Sequence, residues 1–92
     1  MPNSNYVAGR RAEYLAVQEL KKQGAVVAQR TAGSHSPIDV FALMHDGTVK
    51  LVQIKKDDSP LELDKLEKLP AAANVSIELW HRVNRKWTIH SL

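Results

Sequence analysis

An Asp-Gly turn between two short apolar runs is the feature that most constrains how this chain of 92 residues can fold. Residues 38–44 and 49–55 are rich in β-branched and aliphatic side chains, and His45-Asp46-Gly47-Thr48 separates them. Asp-Gly in this setting is a strong signal for a tight turn that joins two antiparallel strands. We therefore predict a β-hairpin, and the outer ends of its strands carry Asp39 and Lys55.

A helix is predicted ahead of the hairpin, and a first strand follows that helix. Polar residues at 3–5 can cap its start, and Gly24 favours its end. Apolar side chains recur at helical spacing and form a stripe that can face a sheet: Ala8, Ala12, Leu15, Ala16 and Leu20. Glu13 borders the stripe and can reach the edge of the core. Residues 25–32 are rich in β-formers and predict a strand that ends in a Gly-Ser loop.

A second helix and a terminal hairpin are predicted after the central hairpin. Ser59-Pro60-Leu61-Glu62 combines an N-cap, a first-turn proline and a capping-box glutamate, so a helix should run to about Leu69. Residues 74–81 and 86–90 then form strands around a turn at 83–85. The resulting order, α-β-β-β-α-β-β, is typical of an α/β fold, and the length of the chain fits one domain spanning residues 1–92.

The composition narrows the classes of protein to which this chain can belong. Its apolar content of 43% and charged content of 25% fit a soluble globular protein better than a disordered one. It has no cysteine, which excludes disulfides and thiolate metal sites and fits a reducing cytoplasm. The chain starts without a long apolar run, so we expect neither a signal peptide nor a membrane span.

The net charge is only +3, but the basic residues are unevenly distributed. One group lies near the polar ends of the central hairpin or in the first helix: Arg10, Arg11, Arg30, Lys55 and Lys56. A phosphate-rich partner fits this group, although so mild an excess of charge is a weak sign by itself. A second group near the C-terminus, Arg82, Arg85 and Lys86, is more simply interpreted as solvated surface. A core of this size also fits a homodimer.

The residues at the ends of the central hairpin suit metal-dependent cleavage of phosphodiester bonds. Side chains alternate along a strand, so Gln53 and Lys55 should face the same side. Mg²⁺ prefers oxygen ligands and keeps positions for water and phosphate, and Asp39, the Gln53 side chain and the Ile54 carbonyl can supply such oxygens. The ammonium of Lys55 can orient or help deprotonate the attacking water and offset charge on the phosphate.

Four ordered motifs in the first 56 residues resemble a known nuclease family. They are Gly9-Arg10-Arg11-Ala12-Glu13, Arg30-Thr31-Ala32-Gly33-Ser34, Pro37-Ile38-Asp39-Val40 and Val52-Gln53-Ile54-Lys55. Together they resemble the archaeal and phage Holliday-junction resolvases of the Hjc type, which belong to the PD-(D/E)XK nuclease superfamily. The resemblance implies a restriction-endonuclease-like core, in which helices flank a central mixed sheet.

The resemblance also implies roles for individual residues. Glu13 matches the first-helix acid, Asp39 the central metal ligand, and Lys55 the catalytic lysine, while Gln53 stands at the place of the second strand acid in a Q-x-K variant. The implied cofactor is Mg²⁺ or Mn²⁺, and the implied enzyme is a homodimer that nicks branched DNA. Contacts to the DNA backbone are expected from Arg10, Arg11, Arg30, Ser34, His35, Ser36 and Lys56.

The residues leave several other interpretations open. A neutral amide binds a hard cation less strongly than a carboxylate does, so Gln53 also fits a nuclease fold that binds nucleic acid without cleaving it. A general or restriction-like nuclease and an interaction domain without a nucleic-acid role are further alternatives.

The histidines and tryptophans have simpler interpretations than functional ones. The four histidines have no compact spacing for zinc and are expected at the surface, with His35 near the site. Trp80 and Trp87 can stack on bases, but across a hairpin they more simply pair with each other or pack in a core or interface.

Overall fold

A computed structural model describes residues 4–31, 36–56 and 63–92, and within these ranges it describes side chains from residue 10 onward. The elements follow in the predicted order: α1 (Ser4–Lys22), β1 (Ala25–Arg30), β2 (Val40–Met44), β3 (Val49–Lys56), α2 (Leu63–Glu67), β4 (Val75–Val83) and β5 (Lys86–Ser91). Neither described helix has the length and apolar character needed to cross a lipid bilayer.

The five strands form one mixed sheet in the order β1-β2-β3-β4-β5. Neighbouring strands are antiparallel except for β3 and β4, which are parallel. Their pairing begins with Val49 opposite Val75 and ends with Lys56 opposite Arg82. A parallel pair needs a long crossover, and the segment that contains α2 provides it. The prediction of an α/β fold built on a mixed sheet is therefore confirmed.

Several predicted element boundaries differ from the structure by one or two residues; β4, for example, runs to Val83 instead of residue 81. β1 ends at Arg30 instead of continuing to residue 32, and β2 begins at Val40 instead of residue 38. β2 begins later because the Asp39 side chain, instead of a backbone carbonyl, accepts the Ile54 N–H of β3 at this end of the sheet. α2 ends at Glu67, two residues before the predicted end, where the Leu69 N–H donates to the Leu66 carbonyl in a tighter turn. The predicted capping segment at 59–62 lies outside the described residues.

The core lies on both faces of the sheet. On one face, the buried α1 residues Ala16 and Leu20 pack against the sheet residues Ala28, Val40, Ala42, Met44, Val52 and Trp80. On the other face, Leu66 of α2 packs with Ile38, Ile77 and Leu79. The predicted stripe of α1 is largely correct, since Ala12, Ala16 and Leu20 are buried, although Leu15 at its border is only half-buried.

The central hairpin forms at the predicted Asp-Gly turn. Gly47 has a φ of 89°, a conformation that residues with a Cβ rarely adopt, and its N–H donates to the Met44 carbonyl. The Asp46 Oδ1 accepts a 2.9 Å hydrogen bond from the Thr48 N–H, and this bond lowers the pKa of the Asp46 carboxyl. The turn and its register therefore follow from local chemistry.

A buried carboxylate in β4 forms a polar network beneath α1 that the sequence did not predict. Glu78 accepts hydrogen bonds from Trp80 Nε1 at 2.8 Å and from Ser76 Oγ at 2.9 Å, and its Oε2 lies 3.5 Å from Lys50 Nζ. Lys50 also donates to the side chain of Gln23, just past the end of α1. Because both carboxylate oxygens have partners, the network joins β3, β4 and the end of α1 without an unpaired buried charge.

The packing of α1 on the sheet gives a first testable expectation. Leu20→Ala should lower the free energy of unfolding by about 2–5 kcal/mol, because Leu20 is 0% exposed and its truncation leaves a cavity beneath the helix. Leu92→Ala is a matched control, since Leu92 is 46% exposed, and should lower it by less than about 1 kcal/mol. Urea unfolding of both variants tests this, and equal losses would contradict the assigned packing.

Candidate functional site

The candidate site lies where β2 and β3 stop pairing with each other. The antiparallel pairing of β2 with β3 begins with Leu43 opposite Val49 and ends with Val40 opposite Val52. Beyond that pair, the Asp39 N–H donates to the Val52 carbonyl at 2.8 Å. The next donor of β3, the Ile54 N–H, is bound at 2.8 Å by the Asp39 Oδ2. A carboxylate thus replaces a backbone acceptor, and the two strands separate at the point where the acid is held.

Backbone and hydroxyl groups from the end of β1 fix the position of Asp39. The Thr31 N–H donates to the Asp39 carbonyl at 2.9 Å, and Thr31 Oγ1 donates to the Ile38 carbonyl at 2.6 Å. The Ser36 Oγ accepts a 3.0 Å bond from the Ile38 N–H. Ser36, which was predicted to contact DNA, therefore helps to form the turn that delivers Asp39 to the sheet edge. Thr31 is a positioning residue whose contribution the sequence analysis missed.

Charged groups from α1 and β3 act on the Asp39 carboxyl. Burial is the main reason why the pKa of Asp39 lies above its usual value, and the nearby Glu13 carboxylate raises it further. The hydrogen bond from the Ile54 N–H and the positive charge of Lys55 oppose this rise. The structure therefore brings Glu13 and Lys55 close enough to Asp39 to act on its charge, in agreement with the predicted clustering of these residues.

Glu13 is held in place by an arginine from the end of β1. The Arg30 Nε donates to the Glu13 Oε1 at 2.8 Å, and both side chains are about three-quarters buried. The helix stripe correctly placed Glu13 at the border of the core. The ion pair orients Glu13 and restrains Arg30. The same arginine also contacts the ring of Tyr14, the residue next to Glu13 on α1.

A tyrosine next to Glu13 lies between two guanidinium groups. The Tyr14 ring centroid is 4.9 Å from the Arg30 guanidinium carbon and 5.8 Å from that of Arg10. Arg10 and Arg30 both lower the pKa of the exposed Tyr14 hydroxyl, Arg10 more strongly. The i, i+4 spacing of Arg10 and Tyr14 was visible in the sequence, but the contact with Arg30 arises only in the folded chain.

Gln53 follows Val52, the last β3 residue that pairs with β2, and its side chain lies on the sheet face opposite to α1. Gln53 pairs with Leu79 of β4, and Lys55, two residues later, pairs with His81. Because side chains alternate along a strand, Gln53 and Lys55 lie on the same face of the sheet, as predicted. The Gln53 side chain is buried, with the residue only 8% exposed. Among the described residues, its Oε1 is the one buried side-chain oxygen or nitrogen without a hydrogen-bond partner. An unmade hydrogen bond of this kind costs about 1–3 kcal/mol, so a water or a ligand that bonded this oxygen would relieve that cost.

The predicted metal ligands carry oxygen atoms of the kind that a hard divalent cation binds. The carboxylate of Asp39, the unpaired oxygen of Gln53 and the carboxylate of Glu13 are ligand types that Mg²⁺ and Mn²⁺ prefer. In a strand, the N–H and C=O of one residue point to the same side, so the Ile54 carbonyl faces the same edge as its N–H. Within the described ranges, no three acidic or histidine side chains form a metal cage. Water and phosphate would therefore have to complete the coordination, as is usual for Mg²⁺.

The remaining predicted DNA contacts lie around this edge or outside the described residues. Arg11 is exposed on α1, and Lys56 is half-buried at the end of β3, where its carbonyl lies 3.2 Å from His81 Nε2. Ser34 and His35 lie outside the described residues, so their predicted roles stay predictions.

The two tryptophans pack edge to face with their centroids 5.3 Å apart, which confirms the interpretation that they pair with each other. Trp80 is fully buried in the core on the α1 face of the sheet.

Similarity to other proteins adds nothing to the functional interpretation of this site. Comparisons with protein-family models, curated proteins and solved structures give no significant match for the chain. The resemblance to junction resolvases therefore stays a hypothesis from the sequence motifs. The chemistry of the site has to be inferred from its own geometry.

The raised pKa of Asp39 predicts a pH-dependent gain in stability for Asp39→Asn. Because the folded state raises this pKa, the ionised carboxyl destabilises the protein as pH rises through the folded pKa, and the amide avoids that penalty. The variant should melt at a higher Tm than the wild type near pH 7, and the difference should vanish near pH 3.

Asp46→Asn is the control of opposite sign for this experiment. The pKa of Asp46 is lowered, so its ionised form stabilises the fold, and the variant should melt at a lower Tm than the wild type near pH 7. This difference should also disappear as pH falls below the usual range of an aspartate. Melting curves recorded across pH would contradict the assignment if both variants shifted Tm in the same direction.

Proposed function

We propose that this chain is a metal-dependent DNA endonuclease with a restriction-endonuclease-like core, and that it nicks four-way junctions as a homodimer. The observation that carries the proposal is the split between β2 and β3. There Asp39 is fixed on the Ile54 N–H, Lys55 acts on its charge, and a buried Gln53 oxygen has no protein partner among the described residues. An acid, an amide oxygen and a lysine at one strand end form a site for hydrolysing phosphodiesters.

Each residue of the site has a separate role in this proposal. Asp39, Glu13, the Gln53 oxygen and the Ile54 carbonyl would hold Mg²⁺ or Mn²⁺. When bound, the cation would lower the pKa of a water and stabilise charge on the phosphate. Lys55 orients that water and offsets the phosphate charge through its ammonium group. The hydrogen bond from the Ile54 N–H keeps the Asp39 carboxylate in a single orientation throughout.

Two stacked arginines beside the acids would bind the DNA backbone. Glu13 and the Tyr14 ring both restrain Arg30, and Tyr14 also lies against Arg10. A restrained guanidinium loses less conformational freedom on binding phosphate than a free side chain does. Arg11 and Lys56 would extend this surface, and Ser34 and His35, which lie outside the described residues, are further contacts predicted from the sequence. Such contacts position the backbone but carry little sequence information, which suits an enzyme that recognises DNA shape.

An exposed apolar pair supports the proposed homodimer. Val27 and Leu43 are directly paired across β1 and β2 and are 37% and 42% exposed. Their neighbours Ala28 and Ala42 face α1, so Val27 and Leu43 point to the opposite face of the sheet. A second copy of the chain packed on this patch would bury it and present two sites to one junction. The absence of cysteine fits the reducing cytoplasm in which such an enzyme would act.

A binding module without cleavage is the second candidate, and Gln53 favours it. An amide at this position contributes no negative charge to the cation, whereas a second carboxylate would. The Glu13–Arg30 ion pair also partly neutralises the remaining acids. In this case the same surface would hold junctions through the arginines alone.

Cleavage assays with Asp39→Ala and Lys55→Ala test the enzyme hypothesis directly. We expect the wild type to introduce paired nicks into a labelled four-way junction with Mg²⁺ or Mn²⁺, and none with EDTA. Each variant should lose roughly 10²–10⁴-fold in nicking rate while still binding the junction. Asp46→Ala is the control, because Asp46 lies in the turn at the opposite end of the β2–β3 hairpin from Asp39, and it should nick at the wild-type rate.

Two outcomes of this assay would contradict the proposal in different ways. Tight binding of the junction without nicking under either metal would favour the binding module. Equal rates of cutting for the junction and a linear duplex would indicate a general nuclease and contradict the proposed selectivity for branched DNA.

Gln53→Glu tests whether this side chain contacts the metal. An added carboxylate a few ångströms from the cation should raise Mn²⁺ affinity by roughly tenfold or more, because it adds a full charge at short range. Gln18→Glu adds the same charge on the exposed side of α1 and should leave Mn²⁺ affinity unchanged. Isothermal titration with Mn²⁺ measures both variants. Equal affinities for wild type and Gln53→Glu would mean that Gln53 is not a ligand.

A further inference from the structure

A cationic groove runs between α1 and the β4–β5 hairpin. It has a volume of about 550 Å³, and its walls include four basic residues, Lys22, Arg82, Arg85 and Lys86, but one carboxylate, Glu19. The indole of Trp87 also lines it. This charge distribution is complementary to a polyanion, and nothing in the candidate cleavage site accounts for it.

The groove lies on the flank of α1 opposite the cleavage site. An α-helix turns by 100° per residue, and the buried residues Ala12, Ala16 and Leu20 mark the side that faces the sheet. On this wheel Glu13 falls on one side of the buried stripe, whereas Leu15 and Glu19 fall on the other, where they line the groove. A ligand in the groove would therefore occupy a separate surface from a ligand at Asp39.

One arginine of the groove is held in place by an anchored aromatic ring. The Arg82 guanidinium carbon lies 4.7 Å from the centroid of Trp87, and Trp87 packs edge to face on the fully buried Trp80. Stacking leaves the in-plane N–H groups of a guanidinium available for phosphate oxygens. Within the described ranges, Arg82, Arg85 and Lys86 form no ion pair with a carboxylate.

A second arginine occupies a backbone conformation that favours glycine. The β4–β5 turn places Asn84 at φ 51° and Arg85 at φ 64°. A two-residue turn with positive φ at both positions prefers Asn-Gly, because the second residue has no Cβ in that case. Asn84 fits this preference and Arg85 does not. Strain of this kind is retained mainly where a side chain has a function, and Arg85 projects from the turn that borders the groove.

We propose that this groove binds the sugar-phosphate backbone of a nucleic-acid strand, with Arg85 and the stacked Arg82 as its main phosphate contacts. The inference rests on the proposed nuclease function for the identity of the polymer as DNA. The geometry and charge of the groove are independent of the cleavage site. Each protomer then contacts DNA on both flanks of α1, once for cleavage and once for anchoring.

Arg85→Gly separates this role from a structural one, because stability and affinity should move in opposite directions. Removing the strained Cβ should raise Tm by roughly 4–8 °C. Loss of a phosphate contact should weaken binding to a fluorescein-labelled DNA duplex by roughly 3–10-fold and reduce the dependence of log affinity on log salt by about one unit. Fluorescence anisotropy in EDTA measures binding without cleavage.

Lys22→Ala and Lys21→Ala provide a matched pair on the same helix turn. Both remove one exposed charge from the last turn of α1, but Lys22 lines the groove and Lys21 does not. We expect Lys22→Ala to weaken DNA binding by several-fold and Lys21→Ala to leave it within about twofold of the wild type. Equal losses of DNA affinity in the two variants would contradict binding in the groove and would indicate nonspecific attraction by net charge.

The outcomes distinguish the groove from the cleavage site. Unchanged affinity and salt dependence in Arg85→Gly, or a wild type that binds anionic vesicles but not DNA, would overturn the inference. If the wild type binds DNA but does not nick it, and the groove variants weaken that binding, the result would support DNA binding in the groove and contradict the proposed nuclease activity. The Asp39→Ala variant should still bind DNA in EDTA. Adding Arg85→Gly to it should weaken this binding by the same factor as in the wild type.

Discussion

The hydrogen bond from the Ile54 N–H to the Asp39 carboxylate is the interaction on which the candidate site depends. It ends the pairing of β2 with β3, fixes the acid at the sheet edge and turns the Ile54 carbonyl toward the same space. The position is partly buried and lies near Glu13, so it raises the pKa of Asp39 and makes the ionised acid unfavourable for the fold. Such a carboxyl is suited to a counter-charge from outside the protein.

Helix α1 divides the molecule into two positively charged surfaces. Its buried alanines let it pack closely on the sheet, and the residues on either side of that stripe serve different purposes. Glu13 and Tyr14 organise the arginines beside Asp39, while Lys22 lines the groove next to the β4–β5 hairpin. A net charge of +3 therefore does not describe how the charge is distributed, because most of the basic residues lie on these two flanks.

Local signals predicted the parts of the structure that depend on local chemistry. The Asp46-Gly47 turn, the strand alternation that aligns Gln53 with Lys55, and the border position of Glu13 followed from residue type and spacing. Contacts between distant elements could not be predicted in this way, including Arg30 on Tyr14 and the network around Glu78. The start of β2 was predicted two residues too early because propensity cannot show a side chain replacing a backbone acceptor. Arg85 was interpreted as surface charge, since its positive φ is invisible in the sequence.

An anomalous difference map from a crystal soaked in Mn²⁺ tests the central claim most directly. The account predicts a peak at the split between β2 and β3, coordinated by Asp39 and the Gln53 oxygen, with the Ile54 carbonyl facing the ion. Loss of that peak in Asp39→Ala crystals would confirm the ligand. An empty sheet edge, with Mn²⁺ bound only at surface acids such as Asp46, would contradict the assignment of a metal site to these residues.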